Sequence, residues 1–209
     1  YRIVVTVTDN SSLSDASPDG LFLIEVVNVA PSHVVATLPT VVSENSPFTL
    51  AGSFTDLGLK DGHRVHIDWG DGTTSEQSLP AVIGQTANRT FSLNHRYLNN
   101  PESPQTNYSI RIEVSDDDQP LKPTVLVKSI IVTNVEPVVS SITLSNGAIN
   151  EGGSISLASS FTDPGSLDEH QVLIDWGDGS EPSKISLVAG VTSLSGIVHR
   201  YLDDPIGQS

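Results

Sequence analysis

The stretch Ile67-Asp68-Trp69-Gly70-Asp71-Gly72 returns 107 positions later as Ile174-Asp175-Trp176-Gly177-Asp178-Gly179. Each copy ends an alternating run: Val65, Ile67 and Trp69 in the first, Val172, Ile174 and Trp176 in the second. A period of two is that of a strand with one buried face. Gly-Asp-Gly then supplies positive-φ positions and a short polar side chain, the chemistry of a tight turn. Trp69 and Trp176 therefore read as core residues. Asp71 and Asp178 read as turn residues that bond nearby backbone N–H groups.

Other matches fall into place around this pair. Upstream, Phe48, Leu50 and Phe54 correspond to Ile155, Leu157 and Phe161, Asp56 and Asp61 to Asp163 and Asp168, and Glu44 to Glu151. Downstream, His95-Arg96-Tyr97 returns as His199-Arg200-Tyr201. The alternation Tyr108, Ile110, Ile112, Val114 repeats Tyr1, Ile3, Val5, Val7, and Asn134-Val135-Glu136-Pro137 repeats Asn28-Val29-Ala30-Pro31. The chain is thus a tandem array with a period of about 107 residues, cut out of register. Residues 1–29 read as the last two strands of a truncated unit, 30–136 as a complete unit, and 137–209 as the first part of a further one. The opening at Tyr1 reads as mid-strand, so the sequence is expected to be a piece of a longer protein.

Within the complete unit the pattern predicts a first strand over 33–42 and a second carrying Phe48 to Phe54. The Trp69 strand comes next, then two weaker strands within 74–93, the Tyr108 strand, and a last strand over 124–133. No helical period is found. Short strands with turn signals every ~8–12 residues indicate all-β, tandem immunoglobulin-like antiparallel β-sandwiches.

Composition narrows the function classes. With no Cys and no Met, the units must fold without disulfides, and thiol chemistry is excluded. The 25 acidic against 10 basic residues give a net charge of −15, which disfavours phosphate backbones and anionic lipid. Neither nucleic-acid binding nor direct membrane insertion is expected, since no apolar run approaches the ~20 residues of a membrane span. No Gly-x-Ser-x-Gly, His-Glu-x-x-His or phosphate-loop pattern occurs, so no enzyme is expected.

Trp69-Gly70-Asp71-Gly72, His95-Arg96-Tyr97 and the strand Tyr108 to Asp116, in that order, resemble the signature of PKD domains. The third segment repeats the first two marks. The family's Phe between Asp and Gly-Asp-Gly is missing, with Trp69 standing directly before Gly70. The resemblance implies immunoglobulin-like modules of secreted or cell-surface proteins. In bacteria these serve as adhesin spacers or stand beside catalytic domains, and some bind calcium near the junction with the preceding domain.

The acidic loops are the candidate site. In a sandwich of this topology, the loop Asp56 to Asp61 shares a pole with Asp116 to Asp118 and with the linker at Asn28. Carboxylates and amide oxygens are hard donors suited to Ca²⁺. The candidate ligands are Asn28, Asp56, Asp61, Asp116 and Asp118 at one junction, and Asn134, Asp163 and Asp168 at the next. Glu44 and Glu151 are expected at the opposite pole, bonding turn backbone and taking no part in this site. His95 and Tyr97 share a strand face but have no further ligands at zinc spacing, so they read as packed core. The expectation is an extracellular or cell-surface spacer or adhesion repeat, stiffened by structural Ca²⁺ and partnered by neighbouring repeats of its own chain. The alternative is a polysaccharide- or protein-binding accessory module of a secreted hydrolase, which would need exposed aromatic rings. Head-to-tail strand exchange is a further expectation, residues 1–28 of one chain completing 137–209 of another.

Overall fold

The computed structural model describes residues 2–3, 22–82, 84–101 and 106–203. Every element among them is a strand. Two short strands, β1 (Arg2–Ile3) and β2 (Phe22–Leu23), pair antiparallel. The rest of the alternating pattern expected at 4–8 lies outside the described residues.

The complete unit is a two-sheet sandwich. One sheet has the order β3-β5-β8, formed by Ser32–Thr37, Phe48–Thr55 and Asn88–His95. The other has the order β4-β10-β9-β6-β7. Its strands are Val41–Ser43 (β4), Thr124–Thr133 (β10), Tyr108–Asp116 (β9), His63–Asp68 (β6) and Thr74–Leu79 (β7). All pairings are antiparallel except β4 with β10. A three-stranded sheet facing a larger one, with β4 crossing over beside the last strand, is the immunoglobulin-like arrangement.

The single strand expected over 33–42 is in fact two. β3 stops at Thr37 and the chain passes to the other sheet, where β4 begins at Val41. Pro39 lies in the gap. Lacking an N–H, it cannot continue a ladder, so it marks the switch between sheets.

The core follows the alternation. Leu50 and Phe54 from one sheet meet Val65, Ile67, Trp69, Ile110, Ile112 and Val114 from the other, all fully buried. Each such side chain contributes about 1.5–3 kcal/mol on leaving water. Close packing also uses glycine: a Cβ at Gly52 would lie 2.3 Å from Phe91 Cζ.

The third segment repeats this plan. β11 (Val138–Leu144), β12 (Ser154–Thr162) and β15 (Ser193–Arg200) form one sheet, and β13 (His170–Ile174) pairs with β14 (Ser183–Leu187) in another. Ile155, Leu157, Trp176 and Leu194 are the buried residues of its smaller core. Among the described residues no helix is long and apolar enough to cross a membrane.

Candidate metal centre at the domain junctions

The repeated turn forms a structural corner. Asp71 accepts hydrogen bonds from Thr73 N (2.9 Å) and Thr73 Oγ1 (2.6 Å), and pairs with His95 Nε2 at 2.9 Å. That imidazole stacks on Trp69 with centroids 4.4 Å apart, and Tyr97 Oη donates to Trp69 O at 2.9 Å. The third unit reproduces the set: His199 pairs with Asp178 (2.8 Å) and stacks on Trp176 (4.6 Å), and Tyr201 Oη donates to Trp176 O (3.1 Å). The Asp-Trp-Gly-Asp-Gly and His-x-Tyr motifs are therefore two halves of one polar knot, which joins β8 to the β6–β7 turn.

Burial lowers the His95 pKa, with the Asp71 bond pulling it partly back. Burial would raise Asp71, but the two Thr73 bonds and His95 outweigh it and hold the carboxyl below the ordinary range. Trp69 is 0% and Tyr97 1% exposed, so neither offers a ring to a ligand.

At the other pole lie the acidic loops. Asp56 is buried; its Oδ1 accepts from Gly58 N at 2.7 Å, and its Oδ2 pairs with His63 Nε2 at 3.0 Å. Asp116 accepts from Gln119 N (2.6 Å) and from Asn28 Nδ2 (2.8 Å). Asp56, Asp116 and Asn28 thus hold hydrogen bonds that fix the loops. The residues whose carboxylate oxygens converge, all within 4.8 Å of one another, are Asp61, Asp118 and also Asp117, which sequence reasoning left out. Burial and then the charges of Asp118, Asp56, Asp117 and Asp116 raise the Asp61 pKa.

The second junction is more buried. Asp163 repeats Asp56, with Gly165 N at 2.8 Å and His170 Nε2 at 2.8 Å. Asp168 stands beside it, and the third member of the cluster is Glu44 of the preceding unit. The Asn134 amide reaches the same place. Its head lies 3.1 Å from Asp168 Oδ2 and 3.2 Å from Glu44 Oε1. With its nitrogen inward the amide donates to both; with its oxygen inward it adds a fourth oxygen to the set. A Cβ at Gly165 would fall 2.4 Å from Asp168 Oδ2 and 2.9 Å from Glu44 Cδ, so the bare glycine makes the room in which these carboxylates meet. Burial, then the charge of Asp163, raises the Asp168 pKa, with His170 opposing. An open groove of about 540 Å³ beside Asn134, Asp163 and Asp168 leads to solvent.

One expectation is corrected here. Glu44 does bond backbone, accepting from Val135 N at 2.6 Å, but it also joins the acidic cluster. The far pole of one unit is the near side of the next unit's acidic pole. The signal available in the sequence was the position of Glu44 in a turn facing the outgoing linker.

No protein-family model matches the chain, and no curated protein matches it. Among solved structures it is similar to the PKD domain of an M14-like peptidase from Thermoplasmatales archaeon SCGC AB-540-F20. Identity there is 17%, over 51% of this chain and 98% of that one, with a TM-score of 0.39. It is also similar to the full ectodomain (Ig1-Ig3) of mouse nectin-like molecule 4, at 12% identity over 88% of this chain and 67% of that one, with a TM-score of 0.37. The strand order of the complete unit, and the polar corner that recurs in the third, make this an all-β chain of immunoglobulin-like sandwiches, the architecture that the PKD resemblance implies.

Proposed function

We propose that the chain is a non-catalytic extracellular spacer made of repeated sandwiches, stiffened at its junctions by Ca²⁺. The observation that carries this reading is the second junction, where Asn134 of the linker meets Asp168 of the following loop, whose carboxylate converges with that of Asp163. Carboxylate and amide oxygens without sulfur suit a hard cation, and Ca²⁺ accepts 6–8 oxygens in flexible geometry. His170 is held by Asp163 and orients that carboxylate. A bound ion would supply the positive charge that gathers linker and loop, so the hinge at Pro137 loses freedom. Asp61 and Asp118 serve the first junction in the same way, with Asp117 added. Partners are the neighbouring repeats, and the place of work is outside the cell.

Calorimetric titration with CaCl₂ after EDTA treatment tests the reading. Binding in the micromolar to millimolar range is expected, with a rise in Tm that Asp163→Asn/Asp168→Asn reduces and that adding Asp61→Asn/Asp118→Asn abolishes. A flat titration at millimolar Ca²⁺ refutes it.

A further inference from the structure

The oxygen cluster at the second junction includes one residue from outside the linker and its acidic loop. Glu44 lies in the turn between β4 and β5 of the preceding sandwich. That turn is fixed from several directions. Glu44 N donates to Thr133 O at 3.0 Å, and Asn45 N donates to Tyr97 O at 2.6 Å. Asn45 adopts the left-handed conformation (φ 58°) that lets the chain reverse there. The side chain is 1% exposed and points into the junction, where its Oε1 takes the Val135 N–H.

Its other oxygen is the anomaly. Glu44 Oε2 is buried and has no hydrogen-bond partner. A buried carboxylate oxygen without a donor is costly, and proteins rarely leave one. Around Glu44 stand the carboxyl groups of Asp163 and Asp168, the Asn134 amide and the backbone N–H of Asn100, which does not reach hydrogen-bond geometry with Oε2. Among the described residues no Lys or Arg forms an ion pair with Glu44. Turning the Asn134 nitrogen inward serves Glu44 Oε1 and Asp168 but leaves Oε2 orphaned. A cation meets the whole deficit: it partners Oε2, offsets three converging carboxylates, and makes the oxygen-inward amide a ligand.

We infer that Glu44 is a Ca²⁺ ligand donated across the domain boundary. One ion at this junction would then be held by the body of one sandwich, the linker and the acidic loop of the next. This inference rests on the calcium reading above and adds its consequence: a site split between two folded bodies exists only when they are docked. The ion therefore fixes the angle between units as well as the linker. The same turn recurs after β11, where Gly152 N donates to Tyr201 O at 2.8 Å as Asn45 does to Tyr97. Glu151 holds the position of Glu44 there.

The test uses the full chain in an Asp61→Asn/Asp118→Asn background, so that binding heat reports the second junction. CaCl₂ titrations and melting curves with and without EDTA compare this background with added Glu44→Gln and with added Asp168→Asn. Gln keeps the acceptor for Val135 N–H and nearly the same volume. The expected result for Glu44→Gln is an affinity loss of about tenfold or more. Its Ca²⁺-free Tm should not fall, because a carboxyl crowded by two others has been replaced by a neutral amide. If Glu44→Gln keeps its affinity within about twofold while Asp168→Asn loses it, Glu44 is no ligand and the calcium reading stands without it. A lowered Ca²⁺-free Tm with an unchanged Ca²⁺ increment likewise overturns the inference, leaving Glu44 a linker anchor alone. Absence of binding in the background overturns the inference together with the calcium reading of the second junction.

Discussion

Asp56→Ala separates two roles that an acidic loop residue can have. Asp56 was a candidate ligand by sequence, yet both its oxygens are engaged, by Gly58 N and by His63 Nε2. The His63 side chain is 0% exposed, and its Nδ1 already lacks a partner. Removing the carboxylate deletes a hydrogen bond to a charged group, worth about 1.5–3 kcal/mol. It also strands the second imidazole nitrogen in the interior, at about 1–3 kcal/mol more. The sum, about 2.5–6 kcal/mol, brackets the roughly 3–5 kcal/mol found for breaking buried pairs. At about 4–8 °C per kcal/mol for a domain of this size, Tm should drop by at least about 10 °C. Asp56→Asn should cost only about 1 kcal/mol, since its amide oxygen can still accept from Gly58 N and its nitrogen stays within hydrogen-bond reach of His63 Nε2. The chain has two Trp, one in each sandwich, so fluorescence in a Trp176→Phe background follows the complete unit through its buried Trp69. Urea unfolding should be run in EDTA, where no ligand role contributes. If Asp56→Ala then lies within about 1 kcal/mol of the background, the structural assignment of Asp56 is wrong.

Two further outcomes follow from the corner motif. Folded His95 resists protonation below pH 6.5 while the unfolded chain accepts a proton there, so stability falls as pH drops through that region. Asp71, held below its usual pKa of 3.8, contributes stability above that value which is lost as acid protonates it in the folded state, in the same direction. By proton NMR the His95 midpoint should lie below 6.5, and Asp71→Asn should lower it further, because burial persists without the carboxylate; a rise would contradict the assignment. The two glycines after Trp should also differ. Gly70 (φ 81°) has Ser109 O 2.5 Å from where a Cβ would sit, whereas Gly177 (φ 75°) has nothing within 4 Å. Gly177→Ala should cost only the left-handed penalty of about 1–2 kcal/mol, and Gly70→Ala clearly more, by urea unfolding; equal costs would refute the packing argument.

The fold was legible because burial in a sandwich imposes a period of two, and that period is written into Val65-Ile67-Trp69 and Ile110-Ile112-Val114. The break at Pro39 was legible in principle, since an imino residue inside a long strand argues for a switch of sheets. The Asp56–His63 pair was not. Seven residues apart along a strand they would lie far from each other; only the turn at Gly58 folds the loop back and brings them to 3.0 Å. Nor was the choice among carboxylates legible. Asp116, Asp117 and Asp118 are adjacent and chemically alike, yet the ladder holds Asp116 as the last residue of β9 and turns its side chain onto Gln119 and Asn28, leaving Asp117 and Asp118 to meet Asp61.

Glu44 is the instructive case. A repeat read one unit at a time has two poles, and Glu44 and Asp56 sit at opposite ones. Between the two sandwiches described, the far pole of one meets the acidic pole of the next. In an alignment at a shift of 107, Glu44 falls on Glu151 and Asp163 on Asp56, so residues that touch appear in different columns and never side by side. What brings Glu44 to Asp168 is a linker short enough that β10 ends at Thr133 and β11 begins at Val138. With four residues between them, the turn that Glu44 caps cannot stand clear of the next acidic loop. Linker length is therefore the quantity that carries the site: lengthening the segment 134–137 would leave both sandwiches folded while taking Glu44 away from Asp163 and Asp168.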